Sequence, residues 1–149
     1  MFLLDTNVLS EAAPNRGQGP NANVVAWLAT HDAQLFLSAI TIAEIADGVA
    51  KARREGASQK ADDLDKWLDG LTNLFHDRIL NVDVGTARLA GTLSDLARGQ
   101  GRSPGLADII IAATAKHHGM AVLTRNTKHF LDLGVDVVDP FLNLPDSPL

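Results

Sequence analysis

The chain has 149 residues, 46% of them hydrophobic, which is enough to form the core of a single domain. Its formal net charge of −5 argues against a surface that is basic overall, and the absence of cysteine excludes disulfides, thiolate metal sites and cysteine nucleophiles. No apolar run approaches the roughly 18 residues of a membrane span and no secretory leader pattern opens the chain, so we expect a cytoplasmic protein that does not contact a membrane.

Short apolar segments alternate with helical patterns in the first half of the chain. Residues 1–4 (MFLL) and 35–38 (LFLS) predict buried strands. A short helix follows the first of them, and the Pro-, Gly- and Asn-rich residues 13–23 predict a loop. Apolar residues at helical spacing then predict a helix over 42–54, and residues 55–63 predict a polar connection.

The second half continues this alternation. The spacing of leucines predicts an amphipathic helix over 64–75, and apolar residues at 79–82 predict a third strand. Further helices are predicted over 84–97 and 106–118, with a loop over 98–105 between them. The helix at 106–118 is apolar on all sides, so we expect it to pack in the interior.

The last segments complete an α/β pattern. Gly119 is a candidate C-cap, residues 121–124 and 135–138 predict two more strands, and the proline-rich residues 139–149 predict no regular structure. Strands that alternate with helices, without hairpin signals, are typical of a mainly parallel sheet covered on both faces. The predicted fold is therefore an α/β/α sandwich of three layers with about five strands.

Three acidic residues stand where strands end or helices begin. Asp5 directly follows the first predicted strand, Glu44 lies shortly after the second, and Asp108 lies near the start of the apolar helix. Because the carboxyl ends of parallel strands meet at one edge of the sheet, we expect the three carboxylates to approach one another there.

Each acid also has a purely structural interpretation. Asp5 has the position of a helix N-cap, and Asp108 could complement a helix dipole. Thr41 and Glu44 form the Thr-x-x-Glu pattern of a capping box. Asp108, however, heads an apolar stripe of its helix, where an unpaired carboxylate is costly.

Three converging carboxylates would need a counter-charge. At ~5 Å and an effective dielectric constant of about 20, each pair repels by roughly 3 kcal/mol, while a whole domain is stable by only about 5–15 kcal/mol. Protonation or a bound cation must relieve this repulsion. Carboxylate oxygens without histidine or cysteine in the same motifs favour Mg²⁺ or Mn²⁺ over zinc.

Other catalytic motifs are absent from the sequence. It contains no P-loop, no Gly-x-Gly-x-x-Gly after a strand and no Gly-x-Ser-x-Gly elbow. His117 and His118 are adjacent and cannot share a helical face, so we expect them to be solvated.

Three segments, in order along the chain, resemble one known family. FLLDTNVLSE at 2–11, LSAITIAEIADGVA at 37–50 and LADIIIAATAKHHGMAVLTRNTKHF at 106–130 are similar to PIN-domain ribonucleases, most of all to VapC toxins of the FitB-like subgroup. The resemblance extends over residues 1–141, interpreted as one PIN-like domain, and leaves 142–149 as a C-terminal tail.

The resemblance implies a toxin of a toxin–antitoxin pair that hydrolyses RNA, either tRNA or another structured RNA, with Mg²⁺ or Mn²⁺. The catalytic, metal-binding acids of the family map onto Asp5, Glu44 and Asp108. The resemblance further implies a cognate VapB-type antitoxin that blocks this site, with operator DNA reached only through the antitoxin.

The segment after the fourth predicted strand both matches and departs from the family. Asn7, and Thr124 or Asn126, match positions that support the site. Many relatives carry a further acid here, whereas this chain has Asn126 and His129, so a second metal ion would bind weakly or only with substrate. Three residues of the segment are candidate RNA contacts, although an exposed helix position is the simpler interpretation of the histidine: Arg125, Lys128 and His129.

Two other functions compete with this one. One is a PIN-like fold with a depleted acid set, which would bind RNA or a protein without cutting. The other is a Mg²⁺-dependent phosphotransfer domain, but phosphatases of that type have Asp-x-Asp after the first strand, where this chain has Asp5-Thr6-Asn7.

The oligomeric state is suggested by the apolar residues of two predicted helices. Those of 64–75 and 84–97 exceed what one core needs, which favours a homodimer.

Overall fold

Five strands form the central sheet of the protein, whose computed structural model describes residues 1–14 and 19–145. The strands are β1 (Phe2–Leu4), β2 (Leu35–Ser38), β3 (Ile79–Leu80), β4 (Ala121–Leu123) and β5 (Val137–Val138). The helices are α1 (Thr6–Leu9), α2 (Ala22–Thr30), α3 (Ala39–Arg54), α4 (Ser58–Phe75), α5 (Val84–Gly99) and α6 (Leu106–His118). Residues 15–18 of the predicted loop and 146–149 of the predicted tail lie outside the described residues.

The sheet reverses its strand order next to β1. Its order is β3-β2-β1-β4-β5, and every neighbouring pair is parallel. The chain therefore adds β2 and β3 on one side of β1 and β4 and β5 on the other. Leu4 pairs with Leu123, so the residues that follow them, Asp5 and Thr124, lie at the same sheet edge. This is the switch point at which parallel α/β folds hold their ligands.

Both faces of the sheet are covered by helices, which confirms the three-layer prediction. Successive residues of a strand point to opposite faces. Leu3 packs into a cluster with buried residues of α5 and α6, such as Leu93 and Ile111. Phe2 and Leu4 pack into a second cluster with buried residues of α1, α2, α3 and α4.

The prediction for α6 and its end is confirmed. The helix spans Leu106–His118 as expected, and Gly119 ends it with φ 65° in the left-handed region. Ile111 and Ala112 are fully buried, as the apolar pattern predicted. A glycine at this position avoids the steric cost that a Cβ meets at positive φ.

Two helix starts were wrongly predicted. The loop expected over 13–23 ends earlier, because the Asn21 side chain accepts hydrogen bonds from the amides of Asn23 and Val24 and caps the unpredicted α2. The polar connection expected over 55–63 is mostly the start of α4, whose polar residues face solvent. Polarity alone did not separate a loop from the solvent face of a helix.

The capping box predicted at Thr41 is wrong. Helix α3 begins three residues earlier than expected, at Ala39, and its cap is Ser38, whose hydroxyl accepts from the amide of Ile40 at 3.2 Å. Thr41 is instead buried inside the helix. Glu44 is therefore not a helix-start residue, and its side chain is available for another role.

Two smaller observations concern the ends of the chain and membranes. The indole Nε1 of Trp27 donates to the carbonyl of Pro145 at 3.1 Å, which ties the C-terminal segment to α2. Across residues 1–14 and 19–145, we find no helix with the length and apolar character that crossing a bilayer requires.

Candidate active site

Asp5 has the capping role that its position suggested and also lies at the sheet edge where the acids were expected to meet. It is the N-cap of α1, accepting a hydrogen bond from the Thr6 amide at 2.8 Å, and its backbone amide pairs with the Leu123 carbonyl at 2.9 Å. Its other carboxylate oxygen accepts from the Thr124 hydroxyl at 2.7 Å and from Asn7 Nδ2 at 3.2 Å. The residue is 5% exposed, so the carboxylate is held rigidly at the sheet edge.

Asn7 and Thr124 connect the segment after β1 to the segment after β4. Asn7 Nδ2 also donates to the Thr124 hydroxyl at 3.2 Å, and Asn7 Oδ1 accepts from the Arg125 amide at 3.1 Å. The Thr124 hydroxyl accepts from the Asn126 amide at 3.0 Å. The three residues predicted to support the site thus form one hydrogen-bond network behind Asp5.

Glu44 reaches the same region from α3. Its Oε1 accepts a hydrogen bond from the Thr6 hydroxyl at 2.7 Å, a contact between residues 38 positions apart. Thr6 therefore holds both acids, through its amide to Asp5 and through its hydroxyl to Glu44. The sequence analysis assigned Thr6 no role, although it lies inside the Asp-Thr-Asn motif.

Asp108 comes from the first turn of α6 and is paired with His129. His129 Nδ1 lies 2.8 Å from Asp108 Oδ2. The imidazole is half exposed, as expected for an exposed position, but it is engaged with one of the three predicted acids.

The predicted acids line one polar pocket of about 320 Å³ at the switch point, which we name the acidic pocket. Its walls are Asp5, Thr6, Asn7, Ser10, Glu44, Asp108, Asn126 and His129. These residues come from the segments after β1 and β4 and from α1, α3 and α6.

The sequence matches the PIN domain family over residues 2–135. The chain belongs to the PIN-domain family. Over 143 residues, this PIN domain is 41% identical to toxin FitB of Neisseria gonorrhoeae, covering 95% of this chain and 99% of that protein. Over 149 residues, it is 37% identical to VapC ribonuclease Y4jK of Sinorhizobium fredii, covering 95% and 98% of the two chains. It is also similar to the crystal structure of FitAcB from Neisseria gonorrhoeae, with a TM-score of 0.81, 40% identity and coverage of 95% and 99%.

Two acids of the acidic pocket in this PIN domain, Asp5 and Glu44, have raised pKa values. Burial is the main cause that raises the pKa of Asp5, opposed by the hydrogen bonds from Thr124 and Thr6, and the charge of Asp108 raises it further. Loss of solvation likewise raises the pKa of Glu44, opposed by Thr6, and the charges of Asp5 and Asp108 add to the rise. Neighbouring negative charges of this kind favour a bound cation or a proton.

The donor set of the PIN pocket suits a hard divalent cation, because its acids offer carboxylate oxygens and its neighbours offer amide and hydroxyl oxygens. As the side chains stand, however, no three His, Cys, Asp or Glu residues in the described part of the chain are grouped closely enough to hold a metal ion. Asp108 is bound to His129 and Glu44 to Thr6. Each of these bonds engages one carboxylate oxygen, Asp108 Oδ2 or Glu44 Oε1, so a metal ion would bind the other oxygen of the acid or displace the hydrogen bond.

The three candidate RNA contacts of this PIN domain have different surroundings. Lys128 and His129 are exposed beside the acidic pocket. Arg125 points elsewhere: its Nη2 lies 3.3 Å from Glu11 Oε1, and its guanidinium carbon lies 3.7 Å from the centre of the Phe141 ring.

Glu11 is the buried acid that the sequence analysis missed. Its side chain is 2% exposed, and besides Arg125 it accepts from the Asn21 amide at 2.9 Å. Glu11 lies in the short 3-10 turn Ser10–Ala12 that follows α1, and no pattern in the sequence marks it as buried. The pair ties the loop after β4 to the segment before α2.

Proposed function

We propose that this PIN-domain protein is the toxin endoribonuclease of a toxin–antitoxin pair and hydrolyses RNA phosphodiester bonds with a divalent metal ion, Mg²⁺ or Mn²⁺. The observation that carries the proposal is the convergence of Asp5, Glu44 and Asp108 on one pocket. Relatives named toxin FitB and VapC ribonuclease support it, since this chain covers nearly their full length.

The side chains of the acidic pocket divide the work of this reaction. Asp5, Glu44 and Asp108 would hold the metal ion, and Asn7 and Thr124 keep the Asp5 carboxylate in position through their hydrogen bonds. When bound, the metal ion would supply a Lewis acid that activates water and stabilises the departing oxygen. Cleavage in this manner leaves a 5′-phosphate and a 3′-hydroxyl on the RNA.

The proposed partners follow from the relatives. This chain is similar along nearly its whole length to a protein named toxin FitB. The resemblance to VapC toxins implies a VapB-type antitoxin as the partner. We infer that the antitoxin of this protein covers the acidic pocket, that operator DNA is contacted through the antitoxin, and that the pair acts in the cytoplasm.

The decisive test is Asp108→Asn, compared with Asp95→Asn as a matched control. Asp95 lies on α5 with its side chain 85% exposed, away from the pocket-lining residues. We expect Asp108→Asn to reduce cleavage of bulk tRNA in Mn²⁺ at least ~100-fold, because a metal ligand is lost, and Asp95→Asn to cleave normally.

Metal binding is measured on the same variants by thermal unfolding. At 100 times its dissociation constant, Mn²⁺ should stabilise the unsubstituted protein by about 2.7 kcal/mol, and less so the Asp108→Asn variant. Equal cleavage by both variants would remove Asp108 from the mechanism.

A non-catalytic RNA- or protein-binding module is the second candidate. It is favoured by the Asp108–His129 hydrogen bond, which occupies one acid, and by Asn126 in place of a further acid. Under this alternative, RNA or a partner protein would bind without any cleavage in Mg²⁺ or Mn²⁺.

A further inference from the structure

A second pocket, of about 300 Å³, adjoins the acidic pocket at the start of α6, and we name it the basic pocket. It is lined by Arg102, Ser103, Pro104, Gly105, Asp108, Lys128 and His129. Asp108 and His129 line both pockets, so this hydrogen-bonded pair lies between the two. The mechanism above uses only the acidic pocket.

The basic pocket has the opposite charge from its neighbour. Arg102 and Lys128 contribute two permanent positive charges to its wall in a chain whose net charge is −5. The Arg102 guanidinium is held in place, because it donates to the carbonyl of Lys128 at 3.2 Å, to the carbonyl of Leu131 and to the side chain of Gln100. These three bonds leave part of its five N–H groups for a ligand.

The backbone at this place adds further donors. Gly105 is the N-cap residue of α6, a helix of 13 residues, and no side chain caps the helix. The first amides of such a helix carry unsatisfied N–H groups that favour an anion. Cationic side chains and helix amides around one opening are the arrangement that recognises a phosphate group.

Arg125 does not share this arrangement. Its charge is paired with the buried Glu11 and stacked on Phe141, on the side of the C-terminal segment. Of the charges near the acidic pocket, those of Arg102 and Lys128 face the adjoining opening, whereas that of Arg125 is used to hold the fold.

We propose that the basic pocket holds a backbone phosphate of the RNA strand next to the bond that is cut. Lys128, Arg102 and the first amides of α6 contact its non-bridging oxygens, and the strand runs from the acidic pocket past His129 towards the start of α6, not towards Arg125. This inference rests on the proposed function, since it takes the strand in the acidic pocket to be RNA.

The test compares Lys128→Gln with Lys116→Gln as the matched control. Lys116 lies in the last turn of α6, and is therefore about 15 Å along the helix axis from its start. The probe is a fluorescein-labelled single-stranded RNA of about 12 nucleotides, and its binding to the full chain is followed by fluorescence anisotropy in EDTA, where cleavage does not occur.

Loss of one phosphate contact reduces the magnitude of the slope of log affinity against log salt concentration by about 0.7 for single-stranded RNA. At 0.1 M salt this corresponds to an affinity about fivefold weaker. We expect this loss for Lys128→Gln and unchanged binding for Lys116→Gln. Equal affinities and slopes for the two variants would overturn the proposal.

Cleavage kinetics separate this inference from the proposed function. If the protein is a ribonuclease, Lys128→Gln should raise KM about fivefold and leave kcat unchanged, because the contact is made away from the reacting atoms. If Lys128→Gln cleaves RNA with an unchanged KM, the basic-pocket proposal is refuted and the ribonuclease proposal stands. Lys128-dependent RNA binding without any cleavage refutes the ribonuclease and retains the pocket.

Discussion

Glu44 is an acid whose surroundings in the folded protein disfavour its charged form. Its pKa is raised by loss of solvation and by the charges of Asp5 and Asp108, so the folded state favours its protonated form. We predict that Glu44→Gln increases the free energy of unfolding by about 0.5–1 kcal/mol at pH 7, a modest value because Glu44 is exposed and solvent screens its charge. The amide oxygen can still accept from the Thr6 hydroxyl.

The pH dependence of this gain has a definite sign. Because the pKa in the folded state lies above the ordinary value of 4.5, the folded protein binds more protons than the unfolded chain in the window between the two values. The advantage of Glu44→Gln should therefore be present at pH 7, shrink as the pH falls through this window and vanish below pH 4.5. Urea unfolding at several pH values measures it, with Glu55→Gln as an exposed control. An advantage that grows at low pH would contradict the assignment.

At the scale of elements, two glycines of helices test whether backbone conformation or helix propensity determines how a Gly→Ala substitution changes the stability. Gly119 ends α6 at φ 65°, whereas Gly48 lies inside α3 with no atom within 4 Å of an added Cβ. We predict that Gly119→Ala lowers stability by about 1 kcal/mol and that Gly48→Ala raises it by about 0.5–1 kcal/mol. Thermal unfolding should show shifts of about 2–4 °C per kcal/mol in opposite directions. Shifts of the same sign would show that the helix end tolerates a side chain.

At the scale of the whole molecule, the layer of α5 and α6 leaves apolar residues uncovered. Val84, Leu96 and Leu106 are 76%, 43% and 72% exposed, whereas the exposed Leu74 belongs to α4 in the opposite layer. Leu106 also lines an apolar pocket of about 290 Å³ between α5 and α6. Exposed apolar surface of this kind is typical of an interface, and the predicted homodimer remains our proposal for what covers it.

The homodimer is tested by placing a charge on this surface. We predict that the unsubstituted protein sediments as a dimer at micromolar concentration and that Leu106→Glu sediments as a monomer, because a carboxylate would be buried without a partner. Leu142→Glu is the control, since Leu142 is 78% exposed in the C-terminal segment. A monomeric unsubstituted protein would end the proposal.

Local sequence patterns were sufficient to predict the presence of the strands, the bounds of α6 and the family. Strand β2 has its predicted bounds because a short apolar run between polar segments has one stable placement in a parallel sheet. The starts of α2 and α4 could not be predicted from polarity, since a solvent-facing turn and a loop have similar compositions. The capping box failed for a related reason: Ser38 and Thr41 are both able to cap a helix, and only the end of β2 decides between them.

The sequence by itself determined the layered α/β fold, the family and which three acids line one pocket, because each of these depends on residue type and on the order of the elements. Only the tertiary structure decided how the acids are held, because the contacts join residues far apart in the chain, such as Thr124 to Asp5 across 119 positions. The Asp108–His129 and Glu11–Arg125 pairs and the division into an acidic and a basic pocket likewise arise from packing around the switch point of the sheet.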